Sequence, residues 1–403
     1  MWFHFDFANY ATMIRLAWGE KIPRVRIYFL ALLLLWIPLV AAFHAVCFFL
    51  DGILFPGLWR TPIRQPIFVL GHARSGTTHV HRLLMRDEGR YSSFLFYEMF
   101  FPSLLQKKII RFFARLDRER LGGAAEKRVR AWEDRHYAAV RKVHEMGLTE
   151  HEEDDIVLYY SCASGYWISK MPYMGDLDFY SVDRWPPRKR RRLMRFYKEC
   201  VRRQLYLNGG DKVHLSKNPI FAGRVEALLE TFPDARIVVP VRHPEETIPS
   251  LLKLLSGGWR RLRWDPERVR RCQRVLAGQS FHTYRHPLEV IARHPATRSA
   301  VIDYRELVED PAAAIRRLYD ELDIPMTPAY EAVLAEESAR ARKHVSGHSY
   351  SLEEFGLDAG AIRAELGDLY ERFGWPNAGA TARRSAIPPQ SLSPQAAHED
   401  SKG

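Results

Sequence analysis

An octapeptide near the end of the first sixth of the chain, Gly71-His72-Ala73-Arg74-Ser75-Gly76-Thr77-Thr78, has the residue types and spacing to hold an anion. Its two glycines stand five apart, an apolar run (Pro66–Leu70) precedes it, and a helical pattern (His79–Met85) follows. That is the layout of a phosphate-binding loop, in which backbone N–H groups and a helix N-terminus receive the anion. In the ATP and GTP version, G-x-x-x-x-G-K-[ST], a lysine reaches the outer phosphates. Thr77 takes that place here, and Arg74 is the only lysine or arginine in the loop. Such a loop suits a nucleotide with no γ-phosphate and no need of magnesium.

Two more segments extend the pattern. Val213-His214-Leu215-Ser216-Lys217-Asn218-Pro219 carries a lysine 25 residues before Arg242, which closes the apolar run Arg236–Val241, and Ser250 lies eight residues further on. With these residues the chain resembles the sulfotransferases that use 3′-phosphoadenylyl sulfate (PAPS), most closely a bacterial membrane-associated branch and more distantly the tyrosylprotein sulfotransferases. The resemblance runs from about residue 60 to about residue 370.

The resemblance implies roles. Arg74, Ser75, Gly76, Thr77 and Thr78 would hold the 5′-phosphosulfate, and Arg242 with Ser250 would grip the 3′-phosphate through charge-assisted hydrogen bonds. Tyr304, in Ile302-Asp303-Tyr304-Arg305, would touch the nucleotide. Lys217 would meet charge on the oxygen leaving with the nucleotide, since sulfuryl transfer depends mainly on positioning and electrostatic stabilisation. Soluble members carry a histidine two residues after this lysine, where Pro219 stands here. The tyrosylprotein enzymes use a glutamate shortly after the loop. Glu98, 24 residues after Arg74 in Phe96-Tyr97-Glu98-Met99, is therefore the expected base. No metal is expected.

The elements that must position these groups read as strands at Ile67–Leu70, Ser93–Tyr97, Val213–Ser216, Ile237–Val241 and Ala300–Tyr304, mostly separated by helix-length segments. The expected fold class is α/β, a P-loop-type parallel sheet flanked by helices, with an N-terminal hydrophobic membrane segment. Ligands of such sheets sit beyond the carboxyl ends of the strands. Arg74, Glu98, Lys217, Arg242 and Tyr304 each fall at that edge of one strand. A long insertion (99–212) carries helical patterns at Lys107–Leu116 and Ala124–Glu145, then an aromatic-rich stretch from Tyr159 to Trp185. Its aromatics suit a core and the wall of a pocket for an apolar acceptor.

Composition narrows the setting. A formal charge of +12 over 403 residues points to an anionic partner or surface. No zinc-finger, RNP-like or helix-turn-helix pattern supports nucleic acid. Four scattered cysteines without C-x-x-C argue against a disulfide framework. Tyr28–Leu50 has no formal charge and is long enough to cross a bilayer, with Pro38 and His44 interrupting it. Basic residues before it (Arg15, Lys21, Arg24, Arg26) would send the rest of the chain across the membrane. In a bacterium that would part the enzyme from a donor made in the cytosol. A shallow re-entrant hairpin with a cytosolic catalytic domain is therefore expected, a lumenal enzyme supplied by transport being the other possibility.

The expected organisation is a membrane-associated segment at 1–60, a catalytic domain at 61–375 and a disordered tail at 376–403 rich in Ala, Pro, Ser and Gln. Thr149-x-x-Glu152 reads as a capping box in an acid-rich turn. Leu193, Tyr197, Val201 and Leu205 make the basic run Arg188–Arg192 one end of a half-solvated helix. His344–Tyr350 falls where a loop often closes over the nucleotide. The leading expectation is sulfuryl transfer from PAPS to a hydroxyl of an apolar or lipid-like acceptor at a membrane. A P-loop kinase and a membrane-tethered, non-catalytic nucleotide-binding protein are the alternatives.

Overall fold

Strands form where apolar runs can be buried on both faces. In the computed structural model, which describes residues 3–141, 147–341 and 352–376, these are β1 (Ile67–Val69), β2 (Tyr91–Ser92), β3 (Val213–Lys217), β4 (Arg236–Val241) and β5 (Ser299–Asp303). They make one parallel sheet of order β2-β3-β1-β4-β5. All residues of β1 and β4 are buried, as expected of inner strands covered by helices. β4 nonetheless contains Pro240. Alternate N–H groups of β4 point to its two neighbours, Arg236 N to Pro66 O and Ile237 N to Arg298 O. By that alternation Pro240 faces the β1 side, beyond the point where β1 has left the sheet, so no ladder bond is lost.

The helices are α1 (Phe7–Trp18), α2 (Pro23–Ala31), α3 (Ile37–Leu54), α4 (Thr77–Met85), α5 (Phe96–Phe100), α6 (Leu104–Arg120), α7 (Ala124–Arg141), α8 (Pro187–Leu207), α9 (Val225–Thr231), α10 (Pro244–Arg261), α11 (Pro266–Arg293), α12 (Tyr304–Glu309), α13 (Pro311–Glu321), α14 (Pro328–Ala341) and α15 (Ala359–Phe373). One large core (Phe68, Trp167, Tyr197, Trp259) covers one face of the sheet, and a smaller one (Val69, Leu84, Ile315, Tyr330) covers the other.

Three expectations change. The apolar stretch read as a strand at Ser93–Tyr97 lies past β2 (Tyr91–Ser92), makes one isolated antiparallel bridge from Leu95 to His151 and turns into α5. Glu98 reaches back to the Leu95 N–H at 3.1 Å, and the Phe96 and Tyr97 N–H groups bond to Glu150 and Leu148 carbonyls, so the backbone is satisfied without a strand. Thr149 caps no helix: a 3₁₀ segment begins only at Asp154 (Asp154–Ser161), with Glu153 before it. The apolar stretch Tyr28–Leu50 does not double back on itself. α2 and α3 join through a π-helical turn (Leu32–Trp36) into one helical run, Pro23–Leu54. The wider turn accommodates Pro38, which cannot donate to Leu34 O. By length and composition this run could cross a membrane.

Leu193, Tyr197, Val201 and Leu205 of α8 are buried, so the basic run at its start lies on a helix anchored by its other face. His344–Tyr350, the end of the helix expected to reach Glu145, and the tail beyond Pro376 lie outside the described residues.

Candidate functional site

The loop between β1 and α4 owes its shape to three residues with positive φ: Gly71 (136°), Arg74 (72°) and Gly76 (94°). A Cβ on Gly71 would stand 3.1 Å from Pro240 O, and one on Gly76 would stand 2.7 Å from the Tyr304 ring. Glycine is therefore required at Gly76 by space as well as by φ. Arg74 adopts the left-handed region without glycine's freedom, at a cost of about 1–2 kcal/mol. Its Nε donates to Ser250 Oγ at 3.1 Å, tying the loop to α10. Behind the loop α4 starts at Thr77, and helix geometry leaves the N–H groups of its first turn without intrahelical acceptors. Loop and helix end together make a concave, donor-rich cradle for an anion.

β4 and β5 deliver the next groups. The Arg242 guanidinium lies 4.3 Å over the Tyr304 ring and pairs with Glu246 at 2.6 Å. The Tyr284 hydroxyl of α11 donates to Arg242 O at 2.7 Å, and its ring stacks on His72 at 4.8 Å. Burial lowers the His72 pKa to about 4, so this imidazole is neutral and serves as a packing group. Arg74, Ser250, Arg242, Tyr304 and Gly76 are thus linked in one cluster, although the first and last of these positions stand 230 apart in the chain.

The cluster opens into a cavity of about 1020 Å³. Arg74, Gly76, Thr77, Thr78, Arg242 and Tyr304 line one part. Glu152, Glu153, Tyr166, Tyr180, Pro219 and Ile220 line another. Leu251, Leu254 and Leu255 of α10 with Leu276 of α11 add an apolar wall that the sequence reading missed. A cue was present: Leu251-Leu252 and Leu254-Leu255 are more apolar residues than one buried stripe needs. Leu252 enters the core and the other three face the cavity.

Lys217 ends β3 fully buried, its Nζ 3.3 Å from Glu152 Oε2. It therefore meets the cavity through Glu152, which is both its ion-pair partner and a lining residue. Burial, then the charges of Glu153 and Glu152, push the Tyr166 hydroxyl up to about 12, so it remains a proton donor. The neighbouring acids have other duties. Asp154 accepts from Tyr197 and Ser216 hydroxyls (2.5 and 2.9 Å), and Asp155 pairs with Arg224 at 3.0 Å. Among the described residues no group of His, Cys, Asp and Glu side chains is arranged to hold a metal.

Glu98 is not among the residues that line the cavity. It is completely buried, and its oxygens accept from Arg111 (2.7 Å), Gln204 (2.7 Å), the Leu95 N–H (3.1 Å) and the Tyr97 hydroxyl (3.3 Å). Burial pushes its carboxyl up, but Lys107, the Leu95 N–H and Arg111 outweigh it and hold it below the ordinary value. These contacts tie α5 to α6 and α8.

A profile described as the sulfotransferase family matches residues 66–328. Two relatives named omega-hydroxy-beta-dihydromenaquinone-9 sulfotransferase Stf3, from Mycobacterium bovis and Mycobacterium tuberculosis, are each 24% identical over 323 residues, 77% of this chain and 75% of theirs. The fold is similar to sulfotransferase STF9 from Mycobacterium avium (TM-score 0.62, 20% identity, 83% of this chain and 84% of that one). It is equally similar to STF1 from Mycobacterium tuberculosis H37Rv (TM-score 0.62, 19% identity, 90% and 93%). The match extends from the strand before the anion loop to the start of α14 and takes in every group of the cluster, and the chain belongs to the sulfotransferase family.

Proposed function

We propose that this sulfotransferase moves a sulfuryl group from PAPS to a hydroxyl of an apolar, lipid-like acceptor at a membrane, with its catalytic domain on the cytosolic side. The observation that carries the donor assignment is the cluster itself. An anion cradle without a Walker lysine is bonded through Arg74 to Ser250, beside an arginine stacked on Tyr304. Two anionic ends of one nucleotide fit two such cationic stations: Arg74 with Ser75, Gly76, Thr77 and Thr78 for the 5′ side, Arg242 with Ser250 for the 3′-phosphate. The apolar wall on α10 and α11 and the menaquinone-type acceptor in the relatives' name support a lipid-like acceptor.

In this reading Glu152 accepts the proton of the attacking hydroxyl. It faces the cavity, as Glu98 does not, and Lys217 beside it supplies positive charge as the leaving oxygen becomes anionic. Tyr166 donates from the cavity wall toward the same place. Glu98 is assigned the packing of the insertion instead.

The donor assignment is tested by thermal protection. 3′-Phosphoadenosine 5′-phosphate should raise the Tm with chelator present, and adenosine 5′-phosphate should protect less. Arg242→Ala should erase that difference. Equal protection of the unaltered enzyme by both nucleotides, or protection that needs magnesium, would return the P-loop kinase to first place.

A further inference from the structure

The helical run Pro23–Leu54 is docked along its whole length. Val25, Phe29, Leu33, Ile37, Ala41, His44, Phe48 and Asp51 recur at three- and four-residue spacing and are all buried. Phe29 meets Trp264 of the loop before α11, Phe48 meets Phe196 of α8, and Asp51 pairs with Arg203 at 2.7 Å with neither side chain exposed. Asp51 also accepts from the Ser103 hydroxyl and the Leu104 and Leu105 N–H groups, so it caps the start of α6. The opposite face carries Ile27, Leu35, Leu39, Phe43, Val46 and Ile53, all at least half exposed. α6 packs beside α3 and presents Ile109, Phe112, Phe113 and Leu116, spaced i, i+3, i+4, i+7 on one helix face.

We propose that α2–α3 and α6 form one membrane-embedding face that enters a single leaflet of an anionic bilayer, making the enzyme monotopic. A transmembrane helix must offer lipid its full circumference or pack on other spanning elements. Here the inner face is committed to a globular domain, so crossing would pull the Asp51–Arg203 pair and the charged body behind it into hydrocarbon. Lying flat removes the topology conflict of the sequence. Lys21, Arg24 and Arg26 at one end of the run and Arg60 at the other, with Lys108, Arg115 and Arg118 along α6, are all exposed and can meet the same headgroup layer. Trp18, Trp36 and Trp59, also exposed, suit that layer.

The face also adjoins the cavity. In the 3₁₀ segment Asp154–Ser161, Ile156 lines the cavity while the Tyr160 ring lies 5.2 Å from the His44 ring of α3. A membrane-dissolved acceptor would thus have a short path to Glu152. This last step rests on the sulfotransferase reading, whereas the membrane face itself does not.

The test uses the full chain and vesicles of phosphatidylcholine with phosphatidylglycerol. The four native cysteines are buried, so an environment-sensitive dye can be placed on Phe112→Cys, with Asp320→Cys as the control. Vesicles should shift the emission of the Phe112 label to the blue and leave the Asp320 label unchanged. Phe112→Glu/Phe113→Glu should reduce flotation with vesicles about tenfold while keeping the Tm and the turnover of a water-soluble nitrophenol. Unchanged flotation of that variant, or no shift at Phe112, overturns the proposal. So does a dimer in solution that the variant splits without any effect of vesicles. Failure of nitrophenol sulfation in the unaltered enzyme would sink the catalytic reading and leave the vesicle result standing.

Discussion

Glu98 and Glu152 are both buried glutamates beside a cationic side chain, yet they sit in opposite kinds of place. Around Glu98 every direction is protein: Arg111, Gln204, Tyr97 and the Leu95 N–H occupy its oxygens, with Lys107 close by. Around Glu152 one side is Lys217 and the other is a cavity shared with the anion cradle. A carboxylate that is fully hydrogen-bonded has no room for a substrate hydroxyl. One at a cavity wall can take a proton in a substrate complex. Residue type and burial therefore do not tell these two places apart, and the cavity wall does.

The sharpest way to break this contrast is to remove each charge without changing shape. Glu152→Gln should lower turnover by roughly 10²–10⁴-fold with donor protection retained, the range for loss of a general base. The loss should be smaller for acidic phenols than for aliphatic alcohols. If Glu153→Gln shows that pattern and Glu152→Gln does not, the base is one residue further along the same wall. If neither does, the assignment to this wall is wrong.

Glu98→Gln should act on stability instead. Leaving the buried Lys107 without its counter-charge, with Arg111 partly exposed to solvent, should cost at most about 3 kcal/mol in denaturant unfolding. Turnover per folded molecule should persist. A loss of turnover at full stability would restore Glu98 to the chemistry.

The acid limb of the stability profile distinguishes the two more finely. Because the folded Glu98 carboxyl is held below its ordinary value, it contributes stability above about pH 4.3, the unfolded carboxyl value. That contribution is lost as pH falls through the lower folded value. Glu98→Gln should flatten this limb, measured by chemical denaturation across acidic pH. An unaltered slope would mean that other acids dominate it. The smallest expected effect is at Tyr166→Phe, which removes one hydroxyl from the cavity wall and should slow transfer roughly three- to tenfold. No change there would place Tyr166 among the packing aromatics with Trp167, which is buried and stacked on Tyr159 at 4.2 Å.

Much of the loop and the strand ends around it was legible in the chain. The runs read as strands at Ile67–Leu70, Val213–Ser216, Ile237–Val241 and Ala300–Tyr304 became parallel strands within a residue at each end, because central strands of such sheets read as continuous apolar stretches. Strand direction then put the loops they feed at one edge of the sheet. The placement of Gly76, Arg74 and Arg242 followed from local sequence, since loop geometry and strand ends are short-range properties.

The insertion was different. Ser93–Tyr97 has the apolarity of a strand, but its backbone partners are Leu148 and Glu150, about fifty residues away, and its end turns into a short helix. Glu152 looked like a capping acid until Lys217 and the cavity were placed beside it. Likewise Tyr28–Leu50 could be recognised as an uncharged helix, whereas its docking along one face depends on Arg203, Phe196 and Trp264. By itself the sequence determined the α/β class, the anion loop and the cations at the strand ends, because these rest on periodicity and on φ/ψ limits that act within a few residues. Which glutamate lines the cavity, and which side of the long helix stays exposed, was decided only by tertiary structure. Both depend on partners tens to hundreds of residues away, and a side chain's free directions are defined by whatever packs against the others.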